Sequence, residues 1–143
     1  MKKAIATYTT VNRIINEYQI FTKKQYGQNF IIEPSIVENI ARSSCIDQDT
    51  AVIEIGPGIG ALTEQLAKYA GKVLAFEIDE RLIPVLNDTL ADYDNIEVVQ
   101  KDFLKVDLKP VVEQLKLDYS SVVVAANLPY YITTPILFKI FVI

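Results

Sequence analysis

Apolar positions in the first fifty residues recur at helical spacing, and beyond them the period changes. Val11, Ile14, Ile15 and Tyr18 share one helical face behind Thr9-Thr10, read here as the cap of a first short helix. Ile36, Val37, Ile40 and Ala41 repeat the spacing after Pro34, whose fixed φ suits a helix start. Phe21–Ile32, with Gly27, Gln28 and Asn29, reads as a loop. From residue 51 short β-branched runs take over: Ala51–Ile55, Lys72–Phe76, Ile96–Val99 and Ser121–Ala126, as expected for strands covered on both faces. Between them Leu62, Leu66 and Ala67, then Leu82, Ile83, Leu86 and Leu90, then Val111, Val112 and Leu115 mark helices, and Thr134-Pro135 opens another. Such alternation predicts an α/β chain with a doubly wound parallel sheet, its crossovers made by helices. In the strand order usual for that architecture the fourth strand falls at the margin. A sheet of this type normally has more than four strands, so the chain reads as truncated after the fourth.

Composition narrows the chemistry. The chain has 143 residues, 50% hydrophobic and 22% charged, enough apolar material for one domain's core. Without any His it has no imidazole base, and no metal site is expected. The single Cys45 rules out an internal disulfide, and a reducing, cytoplasmic setting fits. No secretory signal or membrane span is visible. Residues 1–32 carry five basic groups against one acid, whereas residues 33–143 carry nine against seventeen. A basic arm ahead of an acidic body suits a nucleic-acid contact, and an ordinary solvated terminus suits the charges equally well.

The first strand runs into Glu54-Ile55-Gly56-Pro57-Gly58-Ile59-Gly60-Ala61, and Gly56, Gly58 and Ala61 satisfy the G-x-G-x-x-G/A pattern. Glycines there let the chain turn tightly and let a ligand lie against the backbone. Glu77 follows Gly56 by 21 positions, at the end of the second strand, where a carboxylate accepts hydrogen bonds from ribose hydroxyls. Asp102, past the third strand, is placed either to accept from an adenine amino group or to cap the turn before Phe103. With no Lys or Arg in the loop, Glu54, Glu77 and Asp102 read as an acidic rim. Such a rim suits the sulfonium of S-adenosyl-L-methionine better than a phosphate-rich dinucleotide.

Asn127-Leu128-Pro129-Tyr130-Tyr131 follows the fourth strand, at the sheet edge where ligands bind in this architecture. An adenine N6 amine is a poor nucleophile because its lone pair is delocalised into the ring. The Asn127 amide oxygen and the backbone carbonyl of Leu128 or Pro129 are suited to accept its two hydrogens, and Tyr130 offers a face for an extruded base. Positioning then supplies most of the rate, with no metal or strong base required.

Gly27-Gln28-Asn29-Phe30, Glu54-Ile55-Gly56-Pro57-Gly58-Ile59-Gly60, Glu77-Ile78-Asp79, Lys101-Asp102 and Asn127-Leu128-Pro129-Tyr130-Tyr131 occur in the order seen in ribosomal RNA adenine N6,N6-dimethyltransferases. From about Lys23 to Ile140 the chain resembles that family, most closely its bacterial KsgA type. The resemblance implies a Rossmann-like S-adenosylmethionine-dependent methyltransferase fold and dimethylation of two adjacent adenines in a small-subunit rRNA hairpin loop. It implies an immature 30S subunit as partner, and cofactor contacts at Asn29, Ile31, Gly56, Glu77, Asp102 and Asn127. Asn127, Pro129 and Tyr130 become the candidate catalytic residues. On this view residues 1–50 are a basic arm and N-terminal helices and 51–143 the cofactor-binding βα units. The family's later strands and small helical domain are absent, and Tyr26 stands where Leu is common. Alternatives are the macrolide-resistance type acting on 23S rRNA, a non-catalytic cofactor- or RNA-binding module, and an NAD-dependent oxidoreductase.

Overall fold

A computed structural model describes residues 4–20, 34–43 and 46–126. Its elements run α1 (Tyr8–Tyr18), α2 (Pro34–Ser43), β1 (Thr50–Ile55), α3 (Ala61–Tyr69), β2 (Lys72–Glu77), α4 (Ile83–Thr89), β3 (Ile96–Gln100), α5 (Leu108–Asp118) and β4 (Ser121–Ala126). Short 3-10 turns, Glu80–Leu82 and Phe103–Lys105, lead into α4 and precede α5. The expected element order therefore holds across these residues. The helix expected at Thr134-Pro135 and the loop Phe21–Ile32 lie outside them.

All four strands are parallel, in the order β3-β2-β1-β4. The chain winds outward from β1 through β2 to β3, then returns through α5 to place β4 on the other side of β1. The winding direction thus reverses between β1 and β4, and the crevice at the carboxyl ends beside that reversal is where this architecture binds ligands. Among the described strands β4 is at the margin, as the sequence predicts.

Each face of the sheet builds its own core. On one face Val52 and Val73 pack with Leu62 and Leu66 of α3, Val85 and Leu86 of α4, and Val11 and Ile14 of α1. On the other, Ile53, Ile55, Leu74 and Phe76 pack with Phe103, Val106, Leu108 and Leu115. β1 is buried along its whole length, but β3 and β4 are not, and Val124 is exposed. The expectation that all strands are covered on both faces holds only for the central pair. An edge strand has a neighbour on one side only, which leaves its flank open.

One reading of the N-terminus changes. Helix α1 is capped by Thr7, not Thr9-Thr10: Thr7 is extended (φ −122°, ψ 148°) and its hydroxyl accepts from the Thr10 N–H. The described part of residues 1–32, residues 4–20, packs against the rest of the chain. Ile5, Ala6, Val11, Ile14 and Ile20 are buried, the Ile5 N–H donates to Glu64 Oε1 at 2.6 Å, and the Tyr18 hydroxyl donates to Asp88 Oδ2 at 2.6 Å. That last bond, with burial and the Asp88 charge, pushes the Tyr18 phenol up to about 12. Arg13 pairs with Glu17 one turn on.

Gly71, at the turn between α3 and β2, permits a close backbone approach. A Cβ there would stand 2.2 Å from the Gln48 carbonyl oxygen and 2.7 Å from the Tyr119 ring. Backbone cannot rotate aside as a side chain can, so Gly71→Ala is expected to destabilise the fold by roughly 1–3 kcal/mol. Urea unfolding checks this: the midpoint should fall with an unchanged slope, and a midpoint equal to wild type would refute the contact.

Candidate functional site

The loop after β1 turns on glycines held in the left-handed region, Gly56 at φ 68° and Gly58 at φ 62° among them. Side chains rarely adopt this conformation, which is why the motif needs glycine here. The Gly56 N–H continues the β1–β2 ladder by donating to the Phe76 carbonyl at 2.9 Å. Beside Gly56 the space is open among the described residues, with none of their atoms beyond its chain neighbours within 4 Å of the position a Cβ would take. Gly60 instead backs onto Leu90 and Thr89, at 3.1 and 3.2 Å from such a Cβ. The loop thus has an open side at Gly56 and a closed side against the end of α4, where the Thr89 hydroxyl donates to the Ile59 carbonyl at 3.0 Å.

Glu77 ends β2 and is only 4% exposed. Its Oε1 accepts from the Gly58 N–H at 3.0 Å and its Oε2 from the Asp79 N–H at 2.9 Å. Burial pushes this carboxyl above its ordinary range, the Asp79 and Gly58 amides pull it back, the neighbouring Asp79 charge raises it again, and the Ile78 amide lowers it slightly. A carboxylate offers about four lone-pair sites, so roughly one per oxygen remains for further donors. That spacing suits two adjacent hydroxyls, as on a ribose. Asp79 is also buried, with its charge met by Arg81 at 2.7 Å.

Asp102 follows β3. Its Oδ1 accepts from the Leu104 N–H at 3.0 Å and caps the 3-10 turn, the capping alternative of the sequence reading. Its Oδ2 has no partner among the described residues and stays available to a donor. Register brings the three positions to one sheet edge: Ile55 pairs with Phe76, and Glu77 with Gln100. Gly56, Glu77 and Asp102 therefore stand at the tips of adjacent strands, which are about 4.8 Å apart.

Glu54 does not belong with them. It is 1% exposed and accepts from the Thr63 hydroxyl of α3. Burial, against the partial relief of that hydrogen bond and with the Glu77 charge adding to it, pushes its carboxyl up to about 8. It is therefore largely neutral at pH 7, and the acidic rim consists of Glu77 and Asp102. The reason lies in strand alternation, which turns Glu54 to the same face as Val52, under α3. The ties from Glu77 to Gly58 and from Thr89 to Ile59 were not read from the sequence. Thr89 lies 30 positions from its acceptor, with no motif to mark it.

Asn29, Ile31, Asn127, Pro129 and Tyr130 lie outside the described residues. β4 ends at Ala126, which pairs with Ile55, and Asn127 is next in the chain. Among the described residues there is no group of three or more His, Cys, Asp or Glu arranged to hold a metal, and no helix long and apolar enough to cross a membrane.

The parallel sheet with glycine loop, Glu77 and Asp102 along one edge defines a Rossmann-like fold of the methyltransferase class. Solved structures that share it include the 23S rRNA methyltransferase ErmE, at 34% identity and TM-score 0.64 over 75% of this chain and 40% of that one, and a dimethyladenosine transferase from Plasmodium falciparum, at 31% identity and TM-score 0.64 over 78% of this chain and 38% of that one. The chain belongs to the ribosomal RNA adenine dimethylase family, whose model matches residues 21–142. It is 55% identical over 139 residues to the ribosomal RNA small subunit methyltransferase A of Staphylococcus carnosus, covering 97% of this chain and 47% of that protein. The chain thus spans about half the length of the curated relatives it matches.

Glu54 has a stability consequence with a definite sign. The folded state holds its proton up to about pH 8, whereas the ordinary value for the group is 4.5. The folded state therefore binds the extra proton in that window, and stability falls as pH rises from 4.5 towards 8. Glu54→Gln keeps an acceptor for Thr63 and has no proton to lose. Its stability relative to wild type is expected to rise across that window, by on the order of a few kcal/mol. Denaturant unfolding at several pH values is the check; parallel profiles for the two proteins would mean that Glu54 does not titrate there.

Proposed function

We propose that this chain forms the cofactor-binding part of an rRNA adenine N6,N6-dimethyltransferase. The whole enzyme would methylate two adjacent adenines in a small-subunit rRNA hairpin loop, using S-adenosyl-L-methionine and acting on immature 30S subunits in the cytoplasm. The observation that carries this reading is the alignment of Gly56, Glu77 and Asp102 along one sheet edge. Identity of 55% to a small-subunit methyltransferase favours that substrate over the 23S type, to which the chain is 34% identical.

The described residues fit the cofactor. The open space at Gly56 admits a ligand against the backbone, the remaining lone pairs of Glu77 match a ribose diol, and Asp102 Oδ2 is free to accept from an adenine amino group. Asn29 and Ile31 complete the proposed cofactor contacts. When bound, S-adenosyl-L-methionine supplies a methyl group on a positively charged sulfur that is a good leaving group. Asn127, which follows β4, and the backbone carbonyl of Leu128 or Pro129 accept the two hydrogens of the target amine. They turn its lone pair out of the ring, while Tyr130 stacks on the extruded base. Orientation rather than proton abstraction is the work of these residues, which accords with a chain that has no His.

Two outcomes test this. Calorimetry should detect S-adenosylhomocysteine binding without NAD binding, and Glu77→Ala should weaken it by roughly 1.5–3 kcal/mol per charge-assisted bond lost. Equal affinity in wild type and variant, or clear NAD binding, sinks the assignment. In the full-length enzyme, Asn127→Ala should lower the single-turnover rate at saturating cofactor far more than it weakens RNA binding, because the amine is oriented only in the transition state. Near-normal methylation of unmodified small subunits by that variant refutes the role.

A further inference from the structure

We infer that Glu77 positions the glycine loop before any ligand arrives, a task separate from holding a ribose. The inference rests on the reading above only in assigning the loop to a nucleoside cofactor. Its basis is a mutual dependence in the folded chain. The Glu77 carboxylate is buried, and its hydrogen-bond partners among the described residues are backbone amides, Gly58 at 3.0 Å and Asp79 at 2.9 Å, with the Ile78 amide adding to them. The nearby cation, Arg81, is engaged by Asp79, through both its Nε and its terminal nitrogen. The amides thus compensate the charge, and the charge fixes the amides.

Gly58 is the part of the loop that needs this. Its neighbours are secured without side chains from β2: Gly56 N–H by the Phe76 carbonyl, Gly60 N–H by the Pro57 carbonyl, and the Ile59 carbonyl by Thr89. Between them the Gly58 N–H finds its acceptor in a side chain 19 residues away. Held at φ 62°, Gly58 has a conformation that glycine adopts readily but also leaves readily. Removing the carboxylate frees this amide and the turn around it, so the open face at Gly56 is no longer preset. A ligand would then bear the ordering that the folded chain has already completed. Glu77→Gln retains one good acceptor but turns an N–H₂ group towards the other amide, so it serves Gly58 or Asp79 and not both.

The experiment separates loop positioning from ribose contact by deleting the diol as well as the residue. Amide exchange is measured on ligand-free wild type, Glu77→Gln and Glu77→Ala. Each protein is then titrated by NMR with S-adenosylhomocysteine and with its 2′,3′-dideoxy analogue. In Glu77→Ala the Gly58 amide should exchange about tenfold faster or more, with the β1 amides still protected. The dideoxy ligand, which has no diol to lose, should still bind about three- to tenfold more weakly to Glu77→Ala, with Glu77→Gln between. Gly58 exchange equal to wild type overturns the inference. So does an equal dideoxy affinity alongside a fall for the parent ligand, because Glu77 then acts on the ribose alone. If wild type binds neither ligand, the cofactor reading fails, and the ligand-free exchange still decides the positioning role.

Discussion

At the tip of β2 a buried carboxylate has, among the described residues, backbone amides to compensate its charge, and one of those amides belongs to the loop that ends β1. Moving Glu77 out of water is unfavourable unless its oxygens are hydrogen-bonded, and the Gly58 and Asp79 amides provide that. The same bonds fix the glycine turn on one side, and the Thr89 hydroxyl fixes it on the other. The open face beside Gly56 is thus a preset surface, framed by two strand tips and the end of α4.

Four acids are buried around this region, and each reaches stability by a different route. Glu77 relies on amides and Asp79 on Arg81. Glu54 is largely neutral at pH 7, with Thr63 as its hydrogen-bond partner. Glu64 accepts from the Ile5 N–H and from the Tyr93 hydroxyl, and so ties the N-terminal segment to α3. Only Glu77 of the four stands at a strand tip with lone pairs towards the loop. Buried carboxylates of one region therefore differ according to what their oxygens meet.

The reversal of winding between β1 and β4 sets the geometry of the whole edge. It puts Gly56 at the centre, Glu77 and Asp102 on one flank, and Ala126, with Asn127 next in the chain, on the other. In the proposed reaction, cofactor and target base meet across β1 because the connection through α5 returned the chain to its far side.

Much of this was legible in one dimension. β-branched runs separated by helical patterns define the parallel sheet, since strands buried between helices have nearly continuous apolar sequences. The glycine turn at Gly56 and Gly58 and the strand-tip position of Glu77 were legible because a tight turn after a strand demands glycine and the apolar run marks where β2 ends. The resemblance added Asn29 and Ile31, for which residue patterning offered no assignment. Other features belong to tertiary structure alone. Glu54 and Glu77 are the same residue type near the ends of adjacent strands, and only packing makes one neutral beneath α3 and the other an anchor at the edge. Residues that a charge count treats as an arm are docked by Ile5, Ile14 and Tyr18. Spacing records what neighbouring residues impose on one another, whereas the protonation and partners of a buried group depend on residues far away in the chain.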